Sequence, residues 1–374
     1  MKRILYVITN LEFAGAQNQL YHIIRKLKEN GWEIAVVSLK PLEGFAESLS
    51  CLGVEVLSLG MRNKLPNPVP VIKLVKIIKR WNPTIVHGFL VHANLITRFV
   101  RPFVRIPILI SSARNINEGG KFRELLYKLT DRLCDLTTQV SQQAKEYYMK
   151  RGIVSKDKII YIPNGVDTEI FKPSREIREK LRQEMNLEGF VWITVGRLEE
   201  QKDYPTLLQA FSCLINEHRL KSTLLICGKG PLYQRLILLA KELNIDNFVR
   251  FLGVRTDIPF LLNAADAFVL SSKWEGMSNA VLEAAASGLP IVATNVSGND
   301  EIVLNHNTGI LVSPGEPKLL AEAMLKLQLL SDEKRMEMGL LARQHVLKNF
   351  SLEHVCEMWE TLYFELLRKK GLIS

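Results

Sequence analysis

One stretch of the sequence decides the fold. Residues 267–290 are AFVLSSKWEGMSNAVLEAAASGLP. Four apolar residues open the stretch, a short polar segment follows, and an alanine-rich run closes it, which predicts a buried strand, a loop and a helix. Ser278 is a good N-cap residue, so the helix is expected to begin near it. The loop from Glu275 to Asn279 is therefore predicted to lie at the carboxyl end of a strand and against a helix N-terminus, a place that favours the oxygens of phosphates or hydroxyls.

Two carboxylates mark this stretch, Glu275 on the loop and Glu283 one turn into the predicted helix. On a single helix, two residues at this spacing would point to different sides. With the first of them on the loop, both can face one ligand. The alternative, a solvated loop residue and an exposed helix residue, stays open on these two positions alone.

The alternation of strand and helix extends over the whole chain. Short apolar runs alternate with amphipathic stretches such as residues 17–28 and 69–80. The predicted strands are residues 4–8, 34–39, 84–86, 106–110, 136–140, 158–162, 190–195, 222–227, 248–252, 267–270 and 291–294. Repeated strand-helix units predict an α/β fold with parallel sheets covered by helices on both faces.

Two domains are expected. A chain of 374 residues is too long for one ordinary core and suits two domains of about 150–200 residues. A turn-rich, charged segment at residues 163–173 separates the two series of strands. We predict domains at residues 1–168 and 169–350 and a final helix within 351–374. Doubly wound domains are expected to bind ligands at the carboxyl ends of their strands, in a cleft that both domains face.

The composition indicates a soluble globular protein. Hydrophobic residues make up 47% and charged residues 24% of the chain, and no apolar run approaches the roughly 18 residues of a spanning helix. The apolar run at residues 4–8 is too short for a signal peptide, so a cytoplasmic location is expected. Five cysteines are dispersed without the paired spacing of a zinc site or a disulfide framework.

The net charge of +10 is concentrated in the first half of the chain. Residues 62–132 hold 14 basic and 3 acidic residues, which predicts an anionic partner for this half. Basic residues recur there at helical spacing beside apolar ones, at Lys73, Lys76 and Arg80 and again at Arg98, Arg101 and Arg105. We expect peripheral binding to an anionic membrane surface, the cytoplasmic face of the inner membrane, through residues 62–132. A solvated helix face over a buried one is the alternative.

The stretch from Glu275 to Glu283, followed by Gly288-Leu-Pro290, resembles the E-x7-E signature of retaining glycosyltransferases of family 4 (glycosyltransferase group 1). Further motifs similar to those of the family occur in order at residues 162–171, 195–203, 227–231 and 251–253. Ordered motifs with consistent spacing are a specific signal. The resemblance implies a GT-B fold, in which two Rossmann-like domains face a cleft and the C-terminal helix packs back toward the N-terminal domain. It also implies an acceptor-binding first domain and a donor-binding second domain.

The resemblance assigns roles to individual residues. Arg197 and Lys202 would neutralise the diphosphate of a nucleotide sugar as the sugar leaves, Glu275 would hold the sugar hydroxyls, and Glu283 would hold the ribose. The catalytic candidates are thus Arg197, Lys202 and Glu275. The other donor-binding candidates are Gly15, Gly196, Arg255, Gly276, Met277, Ser278, Asn279 and Glu283. Family members often carry two glycines and a glutamate at the first of these positions, whereas this chain has Gly15-Ala16-Gln17.

The acceptor-side candidates follow two predicted strands of the first domain. His87 and His92 follow one strand and could bind acceptor hydroxyls, although a structural histidine is an equal alternative. Arg114 and Asn115 follow the next strand, where many relatives place a histidine. Because arginine stays protonated, Arg114 cannot act as a base, but it can stabilise a phosphate.

The resemblance is closest to bacterial enzymes that extend lipid-diphosphate-linked oligosaccharides for O-antigen lipopolysaccharide, capsule or protein glycosylation. It implies retaining transfer of a hexose or N-acetylhexosamine from a nucleotide sugar, with UDP as the expected nucleotide. No cofactor and no metal are expected, since no Asp-x-Asp motif occurs and Arg and Lys can neutralise the leaving group.

Two other function classes remain open at this stage. A nucleotide-sugar epimerase shares the architecture and would isomerise the donor without any acceptor. A basic nucleic-acid-binding protein is a remote alternative, since no helix-turn-helix, RNA-recognition or zinc motif is present.

Overall fold

The computed structural model of the protein describes residues 2–61, 68–116 and 120–373. The chain folds into two units. The first unit comprises Met1–Gly165 together with Leu352–Ser374, and the second comprises Val166–Ser351. The chain thus passes into the second unit after Gly165, a few residues before the boundary expected at 168, and returns to the first unit at Leu352.

In its described part, the first unit contains a seven-stranded parallel sheet of order β3-β2-β1-β4-β5-β6-β7. Its strands are β1 (Arg3–Ile8), β2 (Glu33–Ser38), β3 (Glu55–Ser58), β4 (Ile85–Phe89), β5 (Ile108–Ser112), β6 (Leu136–Gln139) and β7 (Ile159–Tyr161). The helices that connect them are α1 (Gly15–Glu29), α2 (Phe45–Cys51), α3 (Val69–Trp81), α4 (Val91–Val100), α5 (Lys121–Thr130) and α6 (Gln142–Lys150). The strand order reverses between β1 and β4, and ligands of such sheets bind where the loops diverge.

The second unit contains a six-stranded parallel sheet of order β10-β9-β8-β11-β12-β13. Its strands are β8 (Phe190–Val195), β9 (Ser222–Cys227), β10 (Val249–Gly253), β11 (Ala267–Leu270), β12 (Ile291–Thr294) and β13 (Gly309–Val312). Its helices are α7 (Arg175–Glu184), α8 (Tyr204–Ser212), α9 (Tyr233–Glu242), α10 (Ile258–Ala264), α11 (Asn279–Ala286), α12 (Asn299–Ile302), α13 (Pro317–Gln328) and α14 (Asp332–Asn349). Here the order reverses between β8 and β11, so the loops after these two strands lie side by side at the carboxyl edge of the sheet.

The last helix, α15 (Leu352–Lys369), belongs to the first unit. Its Trp359 and Tyr363 are fully buried in the first unit's core, and the Tyr363 hydroxyl lies 2.8 Å from the hydroxyl of Tyr6 on β1. The return of the C-terminal helix to the N-terminal domain, expected from the family resemblance, is therefore confirmed.

Both faces of the first sheet are buried. Ile4, Tyr6 and Ile8 of β1 face α1 and α15, whereas Leu5 and Val7 of the same strand face α3 and α4. A strand covered on both faces needs apolar side chains at consecutive positions, not at alternate ones. The continuous apolar runs in the sequence correctly predict this arrangement.

Candidate functional site

Two loops of the second unit meet where the strand order of its sheet reverses. The loop after β8 passes through Gly196 to a 3-10 turn at Glu200–Lys202, and the loop after β11 leads into α11. The Ser271 hydroxyl shares its one hydrogen between the backbone carbonyls of Lys202 and Asp203, at 2.8 and 3.0 Å. These bonds hold the two loops together as one surface.

The Glu275 carboxylate lies at the centre of this surface and is buried. Lys202 Nζ lies 2.5 Å from its Oε1, and the Ser272 hydroxyl donates to the same oxygen at 2.7 Å. Gln201 Nε2 donates to Oε2 at 3.2 Å. A buried charge is stable only when it is paired and hydrogen-bonded, and Glu275 meets both conditions. The alternative that Glu275 is a solvated loop residue is wrong.

Gln201 and Ser272 were not among the residues singled out from the sequence. Both are polar residues close to a candidate in sequence: Gln201 directly precedes Lys202, and Ser272 lies three positions before Glu275. Sequence neighbours of this kind are too common to distinguish a positioning role from an ordinary loop, so only the geometry identifies them.

The loop from Glu275 to Ser278 is buried, and the Ser278 hydroxyl accepts a hydrogen bond from Val281 N. The predicted N-cap and helix start are confirmed. Gly276 and Met277 pack against Gly298, whose φ is 80°, and a Cβ at Gly298 would lie 2.4 Å from Gly276 O. Only glycine permits this close approach of two backbones. Asn279 opens the helix and is half-buried.

Glu283 lies one turn inside α11, part-exposed as a residue. Burial of its carboxyl group raises the pKa of Glu283 to about 8, while the charge of Lys202 opposes the shift. The carboxyl group is therefore mostly neutral at pH 7. The electrostatic interaction with Lys202 links Glu283 to the same cluster as Glu275.

Gly196 belongs to this cluster through its backbone. Its carbonyl accepts a hydrogen bond from the Tyr204 hydroxyl at 3.0 Å, and a Cβ on Gly196 would lie 3.3 Å from Lys202 Cε. Gly228, where φ is 146°, lies on the loop after β9. A Cβ added there would lie 1.9 Å from Gly196 O, so a glycine is needed for this loop to pass so close to the loop after β8. The loops after β8 and β9 thus touch through backbone atoms.

The two arginine candidates of the second unit pair with local carboxylates. Arg197 is exposed, and its Nη2 lies 3.2 Å from Glu199 Oε2. Arg255 binds both carboxylate oxygens of Asp257, at 2.8 and 2.6 Å. Arg197 lies on the loop of the Lys202 cluster, whereas Arg255 follows β10 at the edge of the sheet.

His87 is a core residue, which corrects its assignment to the acceptor side. It lies within β4 and is fully buried, with Nδ1 2.8 Å from the Tyr363 hydroxyl and Nε2 2.7 Å from the Ser112 hydroxyl. Desolvation, aided by the charge of Arg114, holds the pKa of His87 well below its usual value. A neutral histidine with both nitrogens engaged is structural and cannot reach an acceptor.

The other candidates of the first unit lie at the carboxyl edge of its sheet. His92 is exposed at the start of α4, and desolvation, with the charges of Arg123 and Lys40, lowers its pKa. Arg114 follows β5, where its Nη2 donates to Asn164 Oδ1 and its guanidinium lies 5.4 Å from the Phe89 ring centroid.

Two further candidates lie beside these residues. The Asn115 carbonyl accepts a long hydrogen bond of 3.5 Å from Gln139 Nε2. Gly15 is the exposed first residue of α1, after β1. His92, Arg114, Asn115 and Gly15 therefore follow the adjacent strands β1, β4 and β5.

Arg98 and Arg101 do not form a cationic outer face, which corrects that prediction. Arg98 is fully buried, and it donates to Ser111 Oγ on β5 at 3.1 Å and to Thr137 Oγ1 on β6 at 2.9 Å. Arg101 forms an ion pair of 2.6 Å with Asp135. These side chains turn inward because the sheet offers hydroxyl and carboxylate acceptors beneath α4.

The rest of the basic segment is exposed. Lys73, Lys76 and Arg80 lie on the outer face of α3, and Arg105 is also exposed. The range 62–132 includes residues 62–67 and 117–119, which lie outside the described residues.

No helix within the described residues is long and apolar enough to cross a membrane. In the same part of the chain, no group of three or more His, Cys, Asp or Glu residues is arranged to hold a metal ion.

Comparison with protein families gives two matches. Residues 13–170 match the family described as Glycosyltransferase Family 4, and residues 175–345 match Glycosyl transferases group 1.

Curated relatives include UDP-Gal:alpha-D-GlcNAc-diphosphoundecaprenol alpha-1,3-galactosyltransferase of Escherichia coli, 28% identical over 80% of both chains. Another is the capsular polysaccharide biosynthesis glycosyltransferase CapM of Staphylococcus aureus, 26% identical over 80% of this chain and 81% of the relative.

Solved structures share the fold. HepE of Anabaena, determined in complex with UDP-glucose, aligns with a TM-score of 0.84 over 96% of this chain and 99% of its own, at 22% identity. WaaG, a glycosyltransferase involved in lipopolysaccharide biosynthesis, aligns with a TM-score of 0.76 over 95% of this chain and 99% of its own, at 18% identity. The GT-B architecture expected from the sequence is confirmed.

Proposed function

Because the chain belongs to the glycosyltransferases of family 4 and group 1, we propose that it transfers a hexose or N-acetylhexosamine from a UDP-sugar to a lipid-diphosphate-linked saccharide. The enzyme acts on nucleotide sugars in polysaccharide biosynthesis. The family matches give no support to the epimerase or nucleic-acid-binding alternatives.

The observation that carries the proposal is the buried cluster around Glu275. Lys202, the only cation in direct contact with that carboxylate among the described residues, lies at the carboxyl edge of the second sheet with Arg197 on the same loop. A diphosphate bound at this edge would be neutralised by these two cations as its bond to the sugar breaks. Glu275, held by Ser272 and Gln201, would then accept hydrogen bonds from sugar hydroxyls.

The nucleoside part is assigned to the flanking residues. Glu283, whose pKa is raised to about 8 by burial, would bind the ribose hydroxyls. Backbone groups of residues 255–257 would contact the base, since the Arg255 side chain is engaged by Asp257. UDP is favoured because the Escherichia coli relative is named for a UDP-galactose donor and HepE was determined with UDP-glucose.

The first unit is proposed to bind the acceptor near His92, Arg114 and Asn115. The guanidinium of Arg114 suits the diphosphate of a lipid-linked saccharide, a class of acceptor that the name of the Escherichia coli relative contains. Gly15, at the start of α1, would let the backbone approach the donor phosphate.

Transfer is proposed to retain the anomeric configuration by a front-face substitution. The acceptor hydroxyl oxygen bonds to the anomeric carbon on the face from which the diphosphate departs. The carbon–oxygen bond to the diphosphate breaks, its electron pair stays on the diphosphate, and a phosphate oxygen takes the acceptor proton. The acceptor-side candidates contribute no carboxylate that would serve as a nucleophile.

The membrane is the proposed second partner. The excess of basic residues in 62–132 supports membrane binding. The exposed residues that contribute to it include Lys73, Lys76 and Arg80 on α3, whereas Arg98 and Arg101 do not contribute. A lipid-linked acceptor would be met at that surface, and a peripheral position on the cytoplasmic face of the inner membrane is proposed.

A donor screen tests the proposal. The enzyme is incubated with UDP-glucose, UDP-galactose and their N-acetylated forms, with or without short-chain polyprenyl-diphosphate N-acetylglucosamine, and UDP release is measured. We expect release with one donor only when acceptor is present. Lys202→Ala should lower turnover by about 10²–10³-fold, while Lys241→Ala, an exposed lysine on α9, should not. Wild-type turnover in Lys202→Ala, or isomerisation of the donor without acceptor, would overturn the assignment.

A further inference from the structure

Helix α5 exposes a stripe of large apolar side chains. Phe122, Leu125 and Leu129 are 71%, 50% and 62% exposed, and a spacing of three and four residues places them on one side of a helix. The opposite side is occupied by Tyr127 and Thr130, which are buried against α4. Since the helix already buries an inner face, the outer stripe does not contribute to the core.

The surroundings of this stripe are cationic. Lys121, Lys128 and the following Arg132 are exposed. Glu124, the acidic residue of α5, accepts a hydrogen bond from the Tyr147 hydroxyl at 2.9 Å and pairs with Arg151 at 3.1 Å. The local carboxylate is thus neutralised, and the outer face of α5 presents apolar groups among positive charges.

The second unit offers a contrast. Met336 and Leu340 on α14 are also exposed, at 73% and 56%. Residues 166–351 contain 21 basic and 23 acidic residues, so this apolar pair lies in a unit without excess positive charge. Exposure alone does not distinguish the two helices, whereas the net charge of the unit that carries each helix does.

We infer that α5 docks into the interface of an anionic lipid bilayer, with Phe122, Leu125 and Leu129 at the boundary of headgroups and acyl chains. Lys121, Lys128 and Arg132 then contact lipid phosphates. An apolar stripe flanked by lysine and arginine is the pattern of helices that lie in the plane of a membrane surface. The inference rests on the proposed function, because it names the part of the first unit through which a lipid-linked acceptor is approached.

The position of α5 gives the docking a consequence for the reaction. The helix follows β5 at the carboxyl edge of the first sheet, the edge that carries Arg114 and His92. A bilayer contact through α5 therefore lies on the chain segment next to the proposed acceptor residues. The cations of α3 add long-range electrostatic attraction to the same anionic surface.

Vesicle sedimentation tests the inference on the full-length protein. Vesicles of phosphatidylcholine with phosphatidylglycerol are compared with pure phosphatidylcholine at physiological salt. Phe122→Ser/Leu129→Ser should weaken binding to the anionic vesicles on the order of tenfold or more. Lys121→Gln/Lys128→Gln/Arg132→Gln should weaken it on the order of a hundredfold, at about 1 kcal/mol for each cation. The control Met336→Ser/Leu340→Ser should bind like the wild type.

Folding and activity controls separate this inference from the proposed function. All replaced side chains are exposed, so melting temperatures and transfer to the short-chain, detergent-soluble acceptor should stay at wild-type levels. Wild-type vesicle binding by the Phe122→Ser/Leu129→Ser variant overturns the inference even if the enzyme transfers sugar. Loss of self-association in that variant, seen by light scattering with vesicle binding unchanged, also overturns it and assigns the stripe to a second copy. A wild-type protein that binds vesicles through α5 but transfers no sugar contradicts only the proposed function.

Discussion

The Glu275 carboxylate depends on three donors of different kinds: the Lys202 ammonium, the Ser272 hydroxyl and the Gln201 amide. If Lys202 moves toward the phosphate of a bound donor, the two neutral groups still hold the carboxylate in place. Gln201 and Ser272 are therefore positioning residues that act through Glu275. Their role follows from distance and burial, because neither side chain carries a charge of its own.

Replacement of these two positioning residues should affect catalysis more than stability. Ser272→Ala and Gln201→Ala each remove one hydrogen bond to a charged group, and we expect kcat to fall by about tenfold, from a loss of about 1.5 kcal/mol. Gln201→Glu should be worse, since it replaces a hydrogen-bond donor by a second carboxylate that repels Glu275. Steady-state kinetics with a fixed acceptor measure the effect. Equal kcat values in Gln201→Ala and Gln201→Glu would contradict this account.

Glu283 is expected to make stability depend on pH. Its pKa is raised from 4.5 to about 8 in the folded protein, so between these values the folded state holds a proton that the unfolded state has lost. Stability then falls as the pH rises across this window, by up to about 1.4 kcal/mol per pH unit. In Glu283→Gln this contribution is absent. The difference in unfolding free energy between the variant and the wild type should grow in favour of the variant from pH 5 to 8, and a constant difference would refute the prediction.

At the scale of elements, α1 anchors the segment where the chain leaves the first unit. Gln19 Nε2 donates to Gly165 O at 2.7 Å, and Gly165 N donates to Gln19 Oε1 at 2.9 Å. One buried amide side chain thus satisfies both backbone groups of a single residue. Gly165 also packs closely on α15, where an added Cβ would lie 3.1 Å from Leu352 Cα.

Gln19→Leu should therefore destabilise the first unit. The substitution keeps the side chain's size and leaves the N–H and C=O of Gly165 without that partner, at a cost of about 2 kcal/mol. Chemical denaturation followed by tryptophan fluorescence measures it, with Asn18→Leu on the same helix as the matched control. Equal midpoints for the two variants would show that the amide contacts do not matter.

At the scale of the whole molecule, the two units differ in charge and in proposed role. The second unit carries the Lys202 and Glu275 cluster, while the excess of positive charge and the α5 stripe belong to the first. Donor binding and membrane contact should therefore protect different segments of the chain from amide hydrogen exchange.

Amide hydrogen exchange measured with each ligand can distinguish these segments. At a UDP concentration ten times Kd, we expect exchange to slow by about tenfold in residues 196–203 and 272–283, while residues 121–130 stay unchanged. Anionic vesicles should produce the opposite pattern. Protection by UDP confined to the first unit would contradict the assignment of the donor to the second.

Much of the fold is readable from local sequence. Strands β8, β9, β11 and β12 begin and end at the residues predicted from apolar runs, because strands covered by helices on both faces are continuously apolar. The short edge strands β3 and β13 were not predicted. Both are edge strands that pair on one side only. The apolar run of β3 is just Val56-Leu57 and is partly buried, whereas β13 does carry an apolar run, Ile310-Leu311-Val312. The motif around Glu275 identified the family and the helix that Ser278 caps.

The sequence by itself determined the two α/β units, the family, and the candidates Lys202, Glu275 and Glu283, because these depend on runs and motifs of neighbouring residues. Only the tertiary structure decided which polar residues are core. His87 bonds to Tyr363, 276 positions away, and Arg98 to Thr137, 39 positions away. Whether a polar side chain is buried depends on partners brought from distant strands and helices, and no local pattern contains them. The same holds for the outer stripe of α5, whose exposure follows from what α4 and the sheet already cover.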